Sequence, residues 1–302
     1  MNYSRILVGV DGSDMDEMIV KCAHYMAKVC RSTTVYIIHV AHDLEVPQEI
    51  LDQYPQLNQP VDETLERRFE ELAGSVFSET SHVSVHVEIK EGNPEKELLR
   101  WTKIKDIDLV IMGRKSEREH TGVLTTKLMR SVNCSFIMLP PIKEFKLETI
   151  YVATDFSEVS ILAIQIANSL RQNTQKELVI HHLYQVPSGY HSSGKSREEF
   201  AEILRKNAES SMSRIGKKLN LNNYRFEPTL SDGSKTGLQV VNFAQGSDAN
   251  LIVMGSKGKT ATASIMLGSV VEKTAHYADA IAMLVVRKKG DNIDFLDAII
   301  NE

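Results

Sequence analysis

NLIVMGSKGKTATASIMLGS, residues 250–269, decides how this chain is read. LIVM at 251–254 is a short apolar run that stops at Gly255, the pattern of a strand buried on both faces. Glycine then recurs at Gly258 and Gly268, after two and nine intervening residues. Glycine lets backbone N–H groups come close to a ligand. Gly268-Ser269 precedes VVEKTAHYA (270–278), a helical pattern. A helix N-terminus presents unpaired N–H donors and a partial positive charge, a setting suited to phosphate. Ser269 can cap that helix or bond a phosphate oxygen.

Outward from this stretch, short apolar runs alternate with helical patterns. TIYVAT (149–154), LVIHHLYQV (178–186), RFEPTL (225–230) and IAMLVV (281–286) read as strands. Residues 158–171, 197–219 and 237–246 read as helices, the first with Ser157 as N-cap. Strands alternating with helices imply βαβ units and a parallel sheet covered on both faces. In such a sheet ligands bind beyond the carboxyl ends of the strands, at the topological switch point. Asp155 closes the first strand of this half, where it can accept a bond from a ribose hydroxyl or a base amine.

The first half repeats the scheme. RILVGVDGSDMDEMIVKCAHYMAKV (5–29) is similar to TIYVATDFSEVSILAIQIANSL (149–170), and DLVIMGRK (108–115) to NLIVMGSK (250–257). Asp11 matches Asp155 at an offset of 144, and Gly113 matches Gly255 at 142. Two distant anchors with nearly one offset indicate a duplicated unit, which the length of 302 residues also favours at about 150 per domain. The expected boundaries are 1–143 for the first domain, 147–290 for the second and 291–302 for a C-terminal tail, with the polar, proline-containing PPIKEFKLE (140–148) as linker.

On these residues the chain resembles the universal stress protein family, as two tandem domains covering nearly its whole length. The family's nucleotide signature is Gly, two residues, Gly, nine residues, Gly, then Ser or Thr. GSKGKTATASIMLGS (255–269) matches it in full. VATDFSEVS at the start of the second domain and GNP at 92–94 also resemble family segments. The resemblance implies two α/β/α sandwiches of flavodoxin or Rossmann type, each with a five-stranded parallel sheet ordered 3-2-1-4-5. It implies ATP, ADP or AMP at the strand tips. Asp155 would contact the adenine side, Leu183 would offer backbone bonds to adenine where the family often has valine, and Gly255, Gly258, Gly268 and Ser269 would hold ribose and phosphates. Pairing through last strands would make the two domains a pseudo-dimer within one chain, with a homodimer of chains as the other arrangement.

The first domain departs from the signature. After Gly113 it reads RKSEREHTGVLTTKLMRSV, with no glycine three positions on, and Thr121-Gly122 falls where Gly268-Ser269 does. Glu117 and Glu119 put negative charge beside any phosphate. This domain is expected to keep the fold and Asp11 but not triphosphate binding.

GYHSSGKS (189–196) fits the phosphate-loop pattern GxxxxGK[ST]. Pro187-Ser188 breaks the strand before it, and the charged helix that follows suits a surface. The competing account is a loop with Ser196 as N-cap and Glu199 three residues on, a capping box. A third account folds Lys195 or His191 over a bound nucleotide.

His181 and His182, adjacent on a strand, point to opposite faces and cannot share one metal. No Cys/His spacing suggests zinc, and no serine elbow suggests a nucleophile. Neither catalytic nor metal-ligating residues are assigned. Net charge of −5 without a Lys/Arg run gives no nucleic-acid footprint. The longest apolar runs are too short to span a bilayer, and MNYSRILVGVDGS lacks a signal-peptide pattern. Three cysteines, odd and sparse, fit a reducing cytoplasm. The expected function is a cytoplasmic stress-response sensor or regulator that binds an adenine nucleotide in its second domain. The alternatives are slow ATP hydrolysis, with magnesium held by phosphates and Asp155, and a nucleotide-free dimerisation scaffold.

Overall fold

The computed structural model describes residues 3–42, 61–78, 82–114, 122–172, 176–258 and 267–290. These divide into two compact units. Residues through Phe145, together with Lys288, Lys289 and Gly290, form the first, and Lys146–Arg287 the second. The tail at 291–302 lies outside the described residues.

The first unit runs β1 (Arg5–Val10), α1 (Asp16–Cys30), β2 (Thr34–Ala41), α2 (Val61–Phe77), β3 (Ser84–Glu91), α3 (Pro94–Ile104), β4 (Leu109–Gly113), α4 (Gly122–Ser131) and β5 (Ser135–Leu139). The second repeats it: β6 (Thr149–Ala153), α5 (Glu158–Gln172), β7 (Glu177–Tyr184), α6 (Arg197–Lys218), β8 (Tyr224–Leu230), α7 (Thr236–Gly246), β9 (Leu251–Gly255), α8 (Ser269–Tyr277) and β10 (Ala282–Val286). The described strands order β3-β2-β1-β4-β5 in the first unit and β8-β7-β6-β9-β10 in the second. Within each unit the neighbours pair in parallel. This is the 3-2-1-4-5 order, once per unit.

Position in the sheet explains strand composition. β4 (LVIMG) and β9 (LIVMG) are central, and their first four residues are buried. Strands covered on both faces read as continuous apolar runs. The outer strands β3 and β8 alternate exposed and half-buried residues, and β8 carries Pro228, which an edge strand tolerates. Helices follow the period of 3.6. On α1, Ile19, Cys22, Ala23, Met26 and Ala27 are buried along one stripe. α1 packs on β1 and β4 and against α2, whereas α3 packs on β2 and against α4, so helices cover both faces. In the second unit α5 packs on β6 and β9, and α7 packs against α8.

Helix starts are encoded locally. At α3, Gly92 turns the chain at φ +139°, Asn93 Oδ1 accepts from Lys96 N–H at 3.1 Å, and Pro94 takes the first helical position. That is the physical content of GNP. At α6, Ser196 Oγ accepts from Glu199 N–H at 3.1 Å, and Glu199 returns a carboxylate to Ser196 N–H at 2.8 Å. The stretch before it is a short 3-10 helix, Ser188–Ser193, followed by Gly194 at φ +68°. GYHSSGKS is therefore a turn feeding a capping box, not a loop springing directly from a strand. Ser196→Ala is expected to cost about 1 kcal/mol in urea denaturation and to leave nucleotide affinity unchanged. A phosphate loop would behave in the opposite way.

Candidate functional site: a cleft at the carboxyl ends of β6 and β9

The chain leaves β6 for β7 and β8 on one side, then returns past β6 to β9 on the other. The crevice between the tips of β6 and β9 is the switch point of the second unit.

The turn after β6 is pinned from several directions. Thr154 N–H donates to His181 O at 2.9 Å, and His182 Nδ1–H donates to Thr154 O at 2.7 Å. His39 meets Val10 O in the same way in the first unit, at 3.0 Å. Thr154 Oγ1 accepts from Phe156 N–H at 3.0 Å and lies 2.9 Å from Ser160 Oγ. Asp155 Oδ1 accepts from Ser157 N–H at 3.0 Å. Phe156 stands at φ +61°, left-handed backbone that costs a non-glycine residue roughly 1 kcal/mol. The first unit has Gly12 at the matching position, at φ +86°. The ring of Phe156 lies 4.5 Å from that of His182, a contact that helps hold the turn in place.

The loop after β9 is tied at both ends. Ser256 N–H donates to Val286 O and Gly268 N–H to Ser256 O, each at 2.8 Å. Ser157 Oγ reaches Lys257 O at 3.4 Å, joining this loop to the turn after β6. A Cβ on Gly258 would come within 2.7 Å of Asp155 Oδ2, so the absence of a side chain lets carboxylate and loop meet. Gly268 occupies the N-cap of α8 and Ser269 the first helical position. The serine is thus one residue inside the helix, exposed, and does not take the cap. Residues 259–266 lie outside the described residues.

Asp155, Leu183, Gly255, Gly258, Gly268 and Ser269, all singled out in the sequence, line one cleft of about 460 Å³. That volume suits a ligand of nucleotide size. Ser160, His181, Thr236 and Lys257 line it too, and sequence reasoning missed them. The sequence marks His181 only as half of a histidine pair that cannot chelate. His181 and His182 do face apart: the His181 ring lies against Phe243 at 4.3 Å, and that of His182 against Phe156, each pair tilted. Burial, and secondarily the neighbouring His182, lowers the His181 pKa to about 4, so the ring is neutral at pH 7.

The matching cleft of the first unit holds about 130 Å³. Met15, Ile19 and Met112 are among its lining residues. A Cβ on Gly113 would lie 2.8 Å from Ile19 Cδ1 and 2.9 Å from Met15 Cε, and Gly9 is backed by Met112 at 3.1 Å. Thr125 Oγ1 donates to Gly113 O at 2.7 Å. Where the second unit has Ser160, the first has Asp16, a buried carboxylate that accepts from Asp11 N–H at 3.1 Å and Gly12 N–H at 2.8 Å. Burial raises its pKa, outweighing those two hydrogen bonds. Glu117, Glu119 and Thr121 lie outside the described residues.

A family model described as the universal stress protein family matches residues 2–140 and again 146–287. The chain belongs to the universal stress protein family. Its two copies of the family domain coincide with the two α/β units. Universal stress protein MJ0531 of Methanocaldococcus jannaschii is 28% identical over 142 residues, 46% of this chain and 82% of that protein. Universal stress protein MJ0577 of the same organism is 26% identical over 150 residues, 45% of this chain and 92% of its own length. The crystal structure of a universal stress protein from Archaeoglobus fulgidus covers 96% of this chain and 98% of its own, with a TM-score of 0.66 at 16% identity. That likeness concerns the fold alone. Among the described residues of this universal stress protein, no helix is long and apolar enough to cross a membrane. No cluster of three or more His, Cys, Asp or Glu there is placed to hold a metal ion.

Proposed function

We propose that this universal stress protein binds one adenine nucleotide, in its second domain, and acts as a nucleotide-responsive regulator rather than as an efficient enzyme. One observation carries the reading. The six residues that the family signature and its neighbours single out converge on one cleft of about 460 Å³, while its counterpart in the first domain holds about 130 Å³, with Met15, Ile19 and Met112 among its lining residues. The residues fit the ligand. The α8 N-terminus and Ser269 suit phosphates, Gly255 and Gly258 permit close backbone approach, and Asp155 suits a hydroxyl or amine donor.

Slow hydrolysis is the secondary reading. The titratable side chains among the described lining residues are Asp155, His181 and Lys257. Asp155 already accepts from the backbone, and His181 is neutral with its pKa near 4, far from that of a base matched to pH 7. Those features favour binding over turnover.

Gly268→Ala tests the proposal. The nearest atoms to the added methyl would be Ser256 O at 3.4 Å and two atoms at 3.8 Å, so the fold accommodates it, and because Gly268 lines the cleft the methyl is expected to crowd a bound phosphate. Titration calorimetry with ATP is expected to show at least about a tenfold loss of affinity, with the melting temperature unchanged. Unchanged affinity in this variant, with loss in Gly113→Ala, would assign binding to the first domain instead.

A further inference from the structure

The second domain buries a polar pair where the first buries an apolar one. Register sets Gly9 beside Ile38 in the first domain and Ala153 beside His181 in the second. Ile38 thus corresponds to His181, and Leu7, two residues before Gly9, to Tyr151. All four are almost completely buried. Replacing Leu and Ile by Tyr and His in a sheet core needs a compensating role, because buried polar atoms without partners cost free energy.

Half of that cost is met inside the protein. The Tyr151 hydroxyl meets His181 Nδ1 in a short hydrogen bond. If the imidazole were the donor, the hydroxyl hydrogen would be left buried without an acceptor. The arrangement that satisfies both groups has Tyr151 O–H donating to Nδ1, which places the ring hydrogen on Nε2. Phe243, tilted against the ring with centroids 4.3 Å apart, limits its rotation. The other half is unmet. His181 Nε2 is buried and has no hydrogen-bond partner. His181 is among the residues that line the cleft.

Topology fixes which end of a ligand it faces. β7 lies on one side of β6, and β9, with Gly255, Gly258 and the α8 N-terminus beyond it, lies on the other. His181 shares a face of β7 with Leu183, two residues on. It therefore belongs to the end of the cleft away from the phosphate-suited glycines. We propose that His181 Nε2–H donates a hydrogen bond to a ring nitrogen of the bound purine, with Tyr151 as its positioning residue, so that this pair sets base selectivity. This rests on the nucleotide reading above. The first domain, with Leu7 and Ile38, has no such donor.

The test is titration calorimetry with ATP and with 1-deaza-, 3-deaza- and 7-deaza-ATP, each of which replaces one ring nitrogen by C–H. The proteins are the wild type and the double variant Tyr151→Leu/His181→Ile, which installs the apolar pair of the first domain and keeps the core filled. The wild type is expected to bind one of the deaza compounds about tenfold more weakly than ATP. The double variant is expected to lose about the same factor on ATP and to stop distinguishing that compound. A merely structural role would not move the discrimination. If the wild type binds ATP and the double variant shows the same affinity and the same ranking, the His181 assignment is overturned and the nucleotide reading stands. If the wild type binds no ATP, both fall.

Discussion

Gly255→Ala is expected to lower the stability of the second domain by about 3 kcal/mol, the upper end of ordinary overpacking costs. The reason is what the methyl would touch. A Cβ at Gly255 would lie 2.8 Å from Ser160 N and Val159 C and 2.9 Å from Val159 O, all backbone atoms of the first turn of α5. Backbone cannot rotate away as a side chain does, so the helix must shift, and α5 packs on β6 and β9. For a domain of this size the loss corresponds to a fall of roughly 10 °C in melting temperature. Nucleotide binding should fall with it, because the turn carrying Asp155 is tied to the same segment through Thr154 Oγ1 and Ser160 Oγ. Gly113→Ala is the internal control. There the methyl meets the ends of Ile19 and Met15, which can swing aside, so the cost is expected to be smaller. Equal melting temperatures for Gly255→Ala and the wild type would refute the close approach of strand and helix.

Acid is expected to weaken the second domain through His181. Burial lowers its pKa from 6.5 to about 4, and the charge of His182 acts in the same direction. Tyr151, on the adjacent strand, stays uncharged because burial raises its own pKa, and Phe243 on α7 carries no charge. Between these two pKa values the unfolded chain binds a proton that the folded chain does not. Stability therefore rises with pH across this window, is complete above about pH 6.5, and is lost as the pH falls toward 4. The difference is about 3 kcal/mol between pH 7.5 and pH 4. Urea denaturation of the wild type and of Tyr151→Leu/His181→Ile at both pH values isolates it. The wild type should lose about 3 kcal/mol more than the variant. Parallel losses would mean that His181 is charged in the fold.

The contacts at Gly255 and His181 differ in how far the sequence discloses them. The strands and helices were legible because their signals are local. LVIMG stops at glycine, Ser157 and Ser196 precede helical stripes, and GNP encodes a turn, a cap and a first helical residue. The glycines of the second-domain cleft were legible because spacing along the chain is all that the signature requires. What lies between strands was not. The Tyr151–His181 contact joins residues 30 apart, and only parallel register reveals it. The smaller volume of the first cleft was likewise hidden. The sequence points to the missing glycine and to Glu117 and Glu119, whereas the described residues show Met15, Ile19 and Met112 packed over Gly9 and Gly113. Methionine in an apolar run reads as core in either case, and only its rotamer decides whether it fills a site. The 3-10 turn at Ser188–Ser193 was equally silent, since serine, glycine and histidine suit many loop conformations.

The central claim is one nucleotide site per chain, in the second domain. The most direct test is to denature freshly purified protein, separate the released small molecules by chromatography, and count adenine nucleotides per chain, with ATP titration of the emptied protein alongside. The account predicts about one ATP, ADP or AMP per chain, falling toward zero in Gly268→Ala. Two per chain would contradict the reading of the first domain. None released, with no heat on titration with ATP, would contradict the claim itself and leave the Gly255–Ser269 loop without a ligand.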